Sequence, residues 1–268
     1  MNETKNILVT LENLAVGYVG KNQNSVILEN LNLSIAEGEL VCLLGPNGCG
    51  KSTLIRTIAG MQPSLSGEIF IKENAISNLE IQNLAKIVSV VLTDTIDVPN
   101  MTVFDIVALG RYPHTGWFGT LHSKDLELIN DCISKVGLSH LKTREFLQLS
   151  DGEKQRTLIA KALVQDTDFI LLDEPTAHLD LSSRIEIMKL LKELAHTTKK
   201  SFLLSTHELE LALQISDKIW LVSNKEIVSG TASELIQQKA FETSFTNGNF
   251  VVEEEEGRIR INYLHSTR

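Results

Sequence analysis

The chain has 268 residues, a formal net charge of −9 and a hydrophobic content of 43%. The acidic balance argues against a protein that binds nucleic acid through its phosphates, and the hydrophobic content excludes the composition of disordered chains. The length corresponds to one domain or two.

The first forty residues are predicted to form strands without an intervening helix. Residues 11–18 and 26–35 have strand patterns and are joined by the turn-rich segment 20–24, which predicts a small antiparallel β region. Farther along, short aliphatic runs alternate with longer helix-like stretches, and this predicts an α/β fold with a mainly parallel sheet. The strand candidates are residues 7–11, 40–44, 87–92, 169–172, 201–205 and 219–222.

From about residue 93 to residue 164 the strand patterns stop and helical periodicity takes over. Apolar residues recur there at the spacing of one helix face; they are Leu126, Ile129, Ile133 and Val136. Ser123 is the expected N-cap and Gly137 the expected C-terminal glycine of this helix. We therefore predict a helical subdomain inserted into the sheet of a single domain over residues 1–268.

The last part of the chain is predicted to be a β-like tail over residues 240–268. An acidic run at residues 253–256 is flanked there by apolar residues. It could belong to a metal or partner site, but charge runs usually face water, so we expect a solvated hairpin.

The N-terminus, the apolar runs and the cysteines do not indicate secretion, a membrane span or a zinc site. The N-terminus lacks the basic start and apolar stretch of a signal peptide, and no apolar run reaches the 18 residues of a membrane-spanning helix. Cys42, Cys49 and Cys132 form no CxxC or Cys/His cluster, so we expect a reducing compartment and no zinc site.

Residues 45–52 read GPNGCGKS and match G-x-x-x-x-G-K-[ST] between a predicted strand and the helix candidate 53–59. Backbone N–H groups of such a loop surround a polyphosphate, and the following helix directs its positive end at the anion. Lys51 would add a charge for the β and γ phosphates, Ser52 could bind Mg²⁺, and Thr53 could support the adjoining phosphate. The alternative is an ordinary glycine-rich turn. The predicted phosphate-binding residues are Gly45, Pro46, Asn47, Gly48, Cys49, Gly50, Lys51, Ser52 and Thr53.

A second motif is the apolar run 169–172 followed by Asp173 and Glu174. A buried strand would deliver both acids to the sheet edge at which α/β folds bind ligands. Asp173 is suited to holding Mg²⁺, and Glu174 to polarising a water for attack on the γ phosphate. Apolar strands often end in acids, so the prediction depends on the phosphate loop upstream.

Residues 149–153 read LSDGE and resemble, with two substitutions, the LSGGQ signature of the nucleotide-binding subunits of ABC transporters. Ser150 offers a hydroxyl near a helix N-terminus and Gly152 permits a close backbone approach to an anion; read alone, the segment is a good N-cap. The resemblance implies a P-loop NTPase fold with a RecA-like sheet, an ATPase that uses ATP and Mg²⁺, and a homodimer. Ser150 and Gly152 of one copy would then close on the ATP held by the other.

Three further positions match motifs of the same family. Tyr18 stands about 30 residues before the phosphate loop, where the family places a ring that stacks on adenine; a surface tyrosine in a strand is the alternative. His178-Leu179-Asp180 resembles the D-loop, which implies that Asp180 contacts the second copy. Residues 205–208 resemble the switch region, in which His207 would reach the γ phosphate.

One family residue is absent. The family has a glutamine after the strand that corresponds to residues 87–92, where it touches Mg²⁺ or the attacking water, but residues 91–95 read VLTDT. Thr93 falls at the glutamine position and Asp94 is adjacent. Because a threonine side chain is shorter, we expect a bridging water or the Asp94 carboxylate to complete the metal site.

Residues 110–114 read GRYPH and resemble the ATPases of importers for ferric siderophores, haem and cobalamin. The preceding helix has Thr102 as its predicted N-cap. Exposed Arg111 and Tyr112 would favour an interface, so we expect residues 93–114, from Thr93 to His114, to contact integral-membrane permease subunits. Ordinary loop packing is the alternative.

The resemblance therefore implies the ATP-hydrolysing subunit of an ABC importer, bound peripherally to the cytoplasmic face of the inner (plasma) membrane. Its implied partners are a second copy, the permease and, indirectly, a substrate-binding protein, with no nucleic acid. An ABC ATPase that acts on DNA or ribosomes is the main alternative, but the chain has one phosphate loop and no room for a long coiled coil. A P-loop kinase is disfavoured by residues 149–153.

Overall fold

The computed structural model describes residues 6–20, 23–93, 98–116, 119–244, 250–255 and 258–263, and for residues 243, 250, 255, 258 and 263 the backbone alone. The strands are β1 (Ile7–Tyr18), β2 (Ser25–Ala36), β3 (Leu40–Leu44), β4 (Ser66–Ile71), β5 (Asn74–Ala75), β6 (Val88–Val91), β7 (Phe169–Leu172), β8 (Ser201–Thr206), β9 (Lys218–Ser223), β10 (Glu226–Gly230), β11 (Phe250–Glu255) and β12 (Arg258–Tyr263). The helices are α1 (Lys51–Ile58), α2 (Ile81–Leu84), α3 (Val103–Ala108), α4 (Ser123–Lys135), α5 (Asp151–Val164), α6 (Leu181–Thr198), α7 (Leu209–Ile215), α8 (Ala232–Gln237) and α9 (Ala240–Ser244).

The central sheet has the strand order β10-β9-β3-β8-β7-β6, in which only β10 is antiparallel to its neighbour. All five residues of β3 are buried. Leu40, Cys42 and Leu44 pack on the helical side of the sheet, whereas Val41 and Leu43 face α1 and the antiparallel sheet. A strand buried on both faces is expected to be continuously apolar, which is why β3 and β7 were predicted with their observed bounds.

The second sheet is antiparallel, in the order β2-β1-β4-β5. The predicted strand pairing of the N-terminal region is confirmed, although β1 is one strand rather than the two segments 7–11 and 11–18. Strands β4 and β5 were not predicted. The α/β fold class, with a parallel sheet, an N-terminal antiparallel region and inserted helices, is confirmed.

Helices fill the described residues between β6 and β7. Thr102 caps α3 as predicted, through a capping box with Asp105. The predicted N-cap of α4 is wrong, because His122 takes that position and the side chain of Asp125 accepts the His122 N–H. Gly137 has the left-handed φ of +76° that favours glycine after a helix.

The C-terminal part is not β structure throughout, because α9 occupies its beginning. Strands β11 and β12 form an antiparallel hairpin that buries Val252 against the main core. Glu253 and Glu254 are exposed, and the remainder of the acidic run lies partly outside the described residues. In the described part of the chain, no helix has the length and apolar composition that crossing a membrane requires.

Candidate functional site

The phosphate loop connects β3 to α1, as predicted. Gly50 has a φ of +107°, and a Cβ at this position would lie 2.4 Å from Cγ2 of Ile27, so the backbone requires glycine. Gly50 is also the N-cap of α1, which has no side-chain cap and no acidic residue in its first turn. The N–H groups of this helix end therefore remain available to an anion.

Lys51 lies inside the loop and is only 5% exposed. Its Nζ donates to the carbonyls of Gly45 at 2.9 Å and Pro46 at 3.1 Å. Oε1 of Glu174 lies 3.8 Å from the same nitrogen. A largely desolvated cation thus faces the space that the loop encloses, where it would interact strongly with phosphate.

A carboxylate and a hydroxyl meet at the start of α1. Ser52 Oγ donates to Oδ1 of Asp173 at 3.0 Å, and Asp173 is 4% exposed. Mg²⁺ prefers hard oxygen ligands and commonly binds through one or two protein oxygens together with phosphates and water. This pair fits that pattern. Among the described residues there is no cluster of three or more His, Cys, Asp or Glu that would hold a metal without the nucleotide.

Glu174 and His207 come together at the carboxyl ends of β7 and β8. His207 Nδ1 lies 3.7 Å from Oε2 of Glu174, and its Nε2 lies 3.7 Å from Oε1 of Glu208. Glu208 in turn pairs with Arg184. The Glu174 carboxylate therefore lies between Lys51 and His207, where it can accept a proton from a water, and a ring N–H of His207 can donate a hydrogen bond to a phosphate oxygen.

The predicted substitute for the missing glutamine lies beside this site. The Thr93 hydroxyl donates to the backbone carbonyl of Asp173 at 2.9 Å. Asp94 lies outside the described residues.

Tyr18 stands at the end of β1, next to α1. Its hydroxyl is 3.4 Å from Oγ1 of Thr53, and the residue is 57% exposed. An exposed ring beside the phosphate loop is available for stacking on a base.

The LSDGE segment starts α5, with Ser150 as the N-cap. Both the N–H and the hydroxyl of Ser150 donate to Oε2 of Glu153 at 2.8 Å, and these bonds lower the pKa of Glu153. The segment lines a cavity of about 250 Å³ that contains no phosphate-loop residue. Its lining residues are Gly137, Leu138, His140, Ser150, Gly152, Glu153, Arg156, Ser183 and Glu186.

Asp180 is the N-cap of α6, close to the same cavity. Its carboxylate accepts the N–H of Ser183 at 2.8 Å and the Ser183 hydroxyl at 3.1 Å. These bonds lower the pKa of Asp180. The structure therefore brings the D-loop next to the signature segment of the same chain, since Ser183 also borders Gly152.

The expected exposure of Arg111 is wrong. Its side chain is 12% exposed, with Nε donating to Oδ1 of Asp125 at 2.8 Å and Nη1 donating to the carbonyl of Val164 at 3.0 Å. Arg111 therefore connects the segment after α3 to α4 and to the end of α5. Tyr112 is 77% exposed, as expected.

Ser205, which lies on β8 two residues before His207, was included in the switch-region match but was given no role of its own. It is fully buried, donates to Oδ1 of Asp173 at 2.7 Å and accepts the N–H of Glu174 at 2.9 Å. A hydroxyl directly after the apolar run 202–204 of β8, at the sheet edge that carries both acids, was the available signal.

Residues 28–177 match the family model described as ABC transporter. The chain belongs to the ABC transporter family. Among its relatives, the iron(3+)-hydroxamate import ATP-binding protein FhuC of Bacillus subtilis is 36% identical over 85% of this chain and 84% of its own length. The chain is thus an ABC-type ATPase, as predicted.

Solved structures of ABC proteins have the same fold. One, described as an inward-facing conformation of a metal-chelate type ABC transporter, is 26% identical with a TM-score of 0.82 and covers 98% of this chain and 99% of its own. Another is a dimeric post-hydrolysis state of an ATP-binding cassette bound to ADP and Pi, 27% identical with a TM-score of 0.72, covering 84% of this chain and 99% of its own.

Proposed function

We propose that this ABC ATPase powers an importer of an iron-siderophore by ATP-driven closure of a homodimer. The importer assignment is supported by the likeness to FhuC and to the metal-chelate type transporter. Haem and cobalamin are the alternative cargoes, because ATPases of their importers share the pattern of residues 110–114.

The observation that carries the dimer proposal is the division of the site. Lys51, Asp173, Glu174 and His207 converge around the phosphate loop. The cavity at Ser150 and its neighbours contains none of them. One chain therefore holds two half-sites. A second copy would direct the helix N-terminus at its Ser150 toward the γ phosphate held by the first copy, and the first copy would do the same for the second.

We assign the steps of hydrolysis to residues of this chain. The loop N–H groups and Lys51 bind the β and γ phosphates. Ser52 and Asp173 would hold Mg²⁺, which would supply positive charge against the phosphates. Glu174 orients a water and takes its proton as the water oxygen bonds to the γ phosphorus and the bond to ADP breaks. His207 stabilises the charge on the transferred group.

The remaining assignments concern the adenine base, the metal site, the protein partners and the location in the cell. Tyr18 stacks on adenine and Asp180 contacts the second copy. Thr93, or Asp94 next to it, completes the metal site in place of the glutamine. The segment from Thr93 to His114 contacts the permease, through Tyr112 above all, at the cytoplasmic face of the inner membrane. A substrate-binding protein acts on the far side of that permease.

The test uses Glu174→Gln, which keeps the side-chain volume but removes the base. We expect the variant to bind ATP, to lose turnover and to accumulate as a dimer with Mg-ATP in light scattering. Ser150→Ala in the same background should weaken that dimer, because its partner-facing half-site is damaged. A Glu174→Gln variant that binds Mg-ATP and stays monomeric would contradict the proposal.

The importer assignment has its own test. Reconstitution of the chain with a candidate permease in vesicles should give ATP-dependent uptake of a ferric siderophore. Uptake of haem or cobalamin, but not of the siderophore, would decide for the alternative cargo.

A further inference from the structure

Ser205 connects the two acidic residues of the site at the point where the chain leaves the sheet. The N–H of Asp173 still continues the β6–β7 ladder by donating to the Val91 carbonyl at 2.9 Å. The next N–H, that of Glu174, donates instead to Oγ of Ser205 at 2.9 Å. The Ser205 hydroxyl proton goes to Oδ1 of Asp173 at 2.7 Å. A single buried hydroxyl therefore fixes one carboxylate and the backbone of the next residue.

The backbone of Glu174 requires such support. Its φ is +46°, in the left-handed region that non-glycine residues adopt rarely and at a cost in free energy. Such a conformation persists only where the surroundings hold it. The hydrogen bond from the Glu174 N–H to Ser205 helps to maintain this conformation. The direction in which the Glu174 side chain leaves the backbone depends on that φ.

We propose that Ser205 is a positioning residue for hydrolysis, which orients the Asp173 carboxylate for Mg²⁺ and holds Glu174 in the conformation that presents its carboxylate to the water. The inference rests on the proposed roles of Asp173 and Glu174. Ser205 itself touches neither nucleotide nor metal and acts through these two residues.

Two hydroxyls donate to Oδ1 of Asp173, and a bound metal would affect them differently. Ser52 donates to Oδ1 at 3.0 Å and would also be a ligand of Mg²⁺, so its position would depend on the metal as well. Ser205 is buried behind the site and remains the donor to Oδ1. It thereby keeps the carboxylate in one rotamer.

The same strand supplies a matched control. Ser201, four residues earlier on the same face of β8, is also fully buried. Its hydroxyl donates to the Ala36 carbonyl and accepts the Gly38 N–H, both at 3.0 Å. Ser201→Ala therefore removes the same number of buried hydrogen bonds from the opposite end of the strand, away from the nucleotide site.

The test compares Ser205→Ala, Ser205→Cys and Ser201→Ala. Mn²⁺ binding is measured in the presence of saturating ADP, from the electron paramagnetic resonance signal of free Mn²⁺, which needs no turnover. We expect Ser205→Ala to weaken Mn²⁺ binding roughly fivefold to tenfold and to lower kcat about tenfold, with the ATP KM within about twofold of wild type. Ser201→Ala should lose similar thermal stability and change none of these quantities.

Ser205→Cys separates hydrogen bonding from packing. A thiol fills nearly the same volume but is a weak donor, so this variant should resemble Ser205→Ala, and it carries the test alone if the alanine variant does not fold. Ser205→Cys with wild-type Mn²⁺ binding and kcat would overturn the proposal, as would Ser205→Ala that behaves like Ser201→Ala.

Asp173→Asn distinguishes failure of this inference from failure of the proposed function. If Asp173→Asn abolishes Mn²⁺ binding while Ser205→Ala leaves it intact, only the role of Ser205 is refuted. If Asp173→Asn keeps full Mn²⁺ binding, the proposed metal site is refuted, and the role of Ser205 with it.

Discussion

Replacing Arg111 with alanine removes a side chain that joins Asp125 of α4 to the Val164 carbonyl at the end of α5 through two charge-assisted hydrogen bonds. The Arg111–Asp125 pair has side-chain exposures of 12% and 13%, so water screens it poorly. Asp125 would keep the bond from the His122 N–H at 2.9 Å, whereas the Val164 carbonyl would lose the guanidinium donor at 3.0 Å.

The magnitude follows from these contacts. Breaking a fully buried ion pair costs about 3–5 kcal/mol, and a hydrogen bond to a charged group contributes about 1.5–3 kcal/mol. Because Asp125 keeps one donor and some contact with water, we expect the free energy of unfolding to fall by about 2–3 kcal/mol. For a chain of this size, that corresponds to a decrease in Tm of roughly 5–10 °C.

Thermal unfolding followed by circular dichroism measures this decrease, with exposed Arg56 replaced by alanine as the control. The ATPase activity of Arg111→Ala at a temperature well below its Tm should be near that of wild type. A Tm within about 1 °C of wild type, together with lost transport, would refute the structural role and restore the expected interface role.

The pH dependence of the effect has a defined sign. The His122 N–H, and then Arg111, hold the pKa of Asp125 below its usual value. The stabilisation is therefore complete above the unfolded pKa of about 3.9 and is lost as the pH falls through the lower folded pKa. The Tm difference between wild type and Arg111→Ala should accordingly shrink at acid pH.

Three other predictions concern single side chains. Burial raises the pKa of Cys42 to about 12 and that of Cys132 to about 11, so a thiol reagent at pH 8 should leave both unmodified in the folded chain. Partly exposed Cys49 should react slowly with the reagent, and more slowly still when Mg-ATP is present. Labelling of all three cysteines in the native state would contradict their burial. Thr93→Ala removes a donor to a backbone carbonyl and should reduce kcat and shift the Mg²⁺ dependence; unchanged values would exclude Thr93 from the metal site. Tyr112→Ala should leave ATPase activity and Tm unchanged but lower transport in the reconstituted importer, and full transport would show that this exposed ring does not contact the permease.

The elements predicted best were those that are determined by residues close together in the sequence. Leu40–Leu44 and Phe169–Leu172 were found with their observed bounds because strands buried on both faces are continuously apolar. The phosphate loop was recognisable because its function dictates residue types at fixed spacing.

Properties that depend on distant partners were predicted less well. Arg111 was expected to be exposed, since nothing near it in the chain indicated Asp125 and Val164 as partners. The role of Ser205 was missed because it arises only when β7 and β8 lie side by side. At the start of α4, Ser123 was predicted as the cap, but His122 is the residue whose backbone lies outside the helical region.

The burial of Lys51 has a consequence for the stability of the fold. Because its ammonium is already bonded to the Gly45 and Pro46 carbonyls, most of its water was removed when the chain folded, at a cost to the stability of the folded state. When a nucleotide enters the loop, Lys51 exchanges its carbonyl partners for phosphate oxygens. Little water has to be removed from the ammonium group in this exchange. The buried ammonium thus lowers the stability of the folded chain, and binding of a nucleotide should return part of that stability.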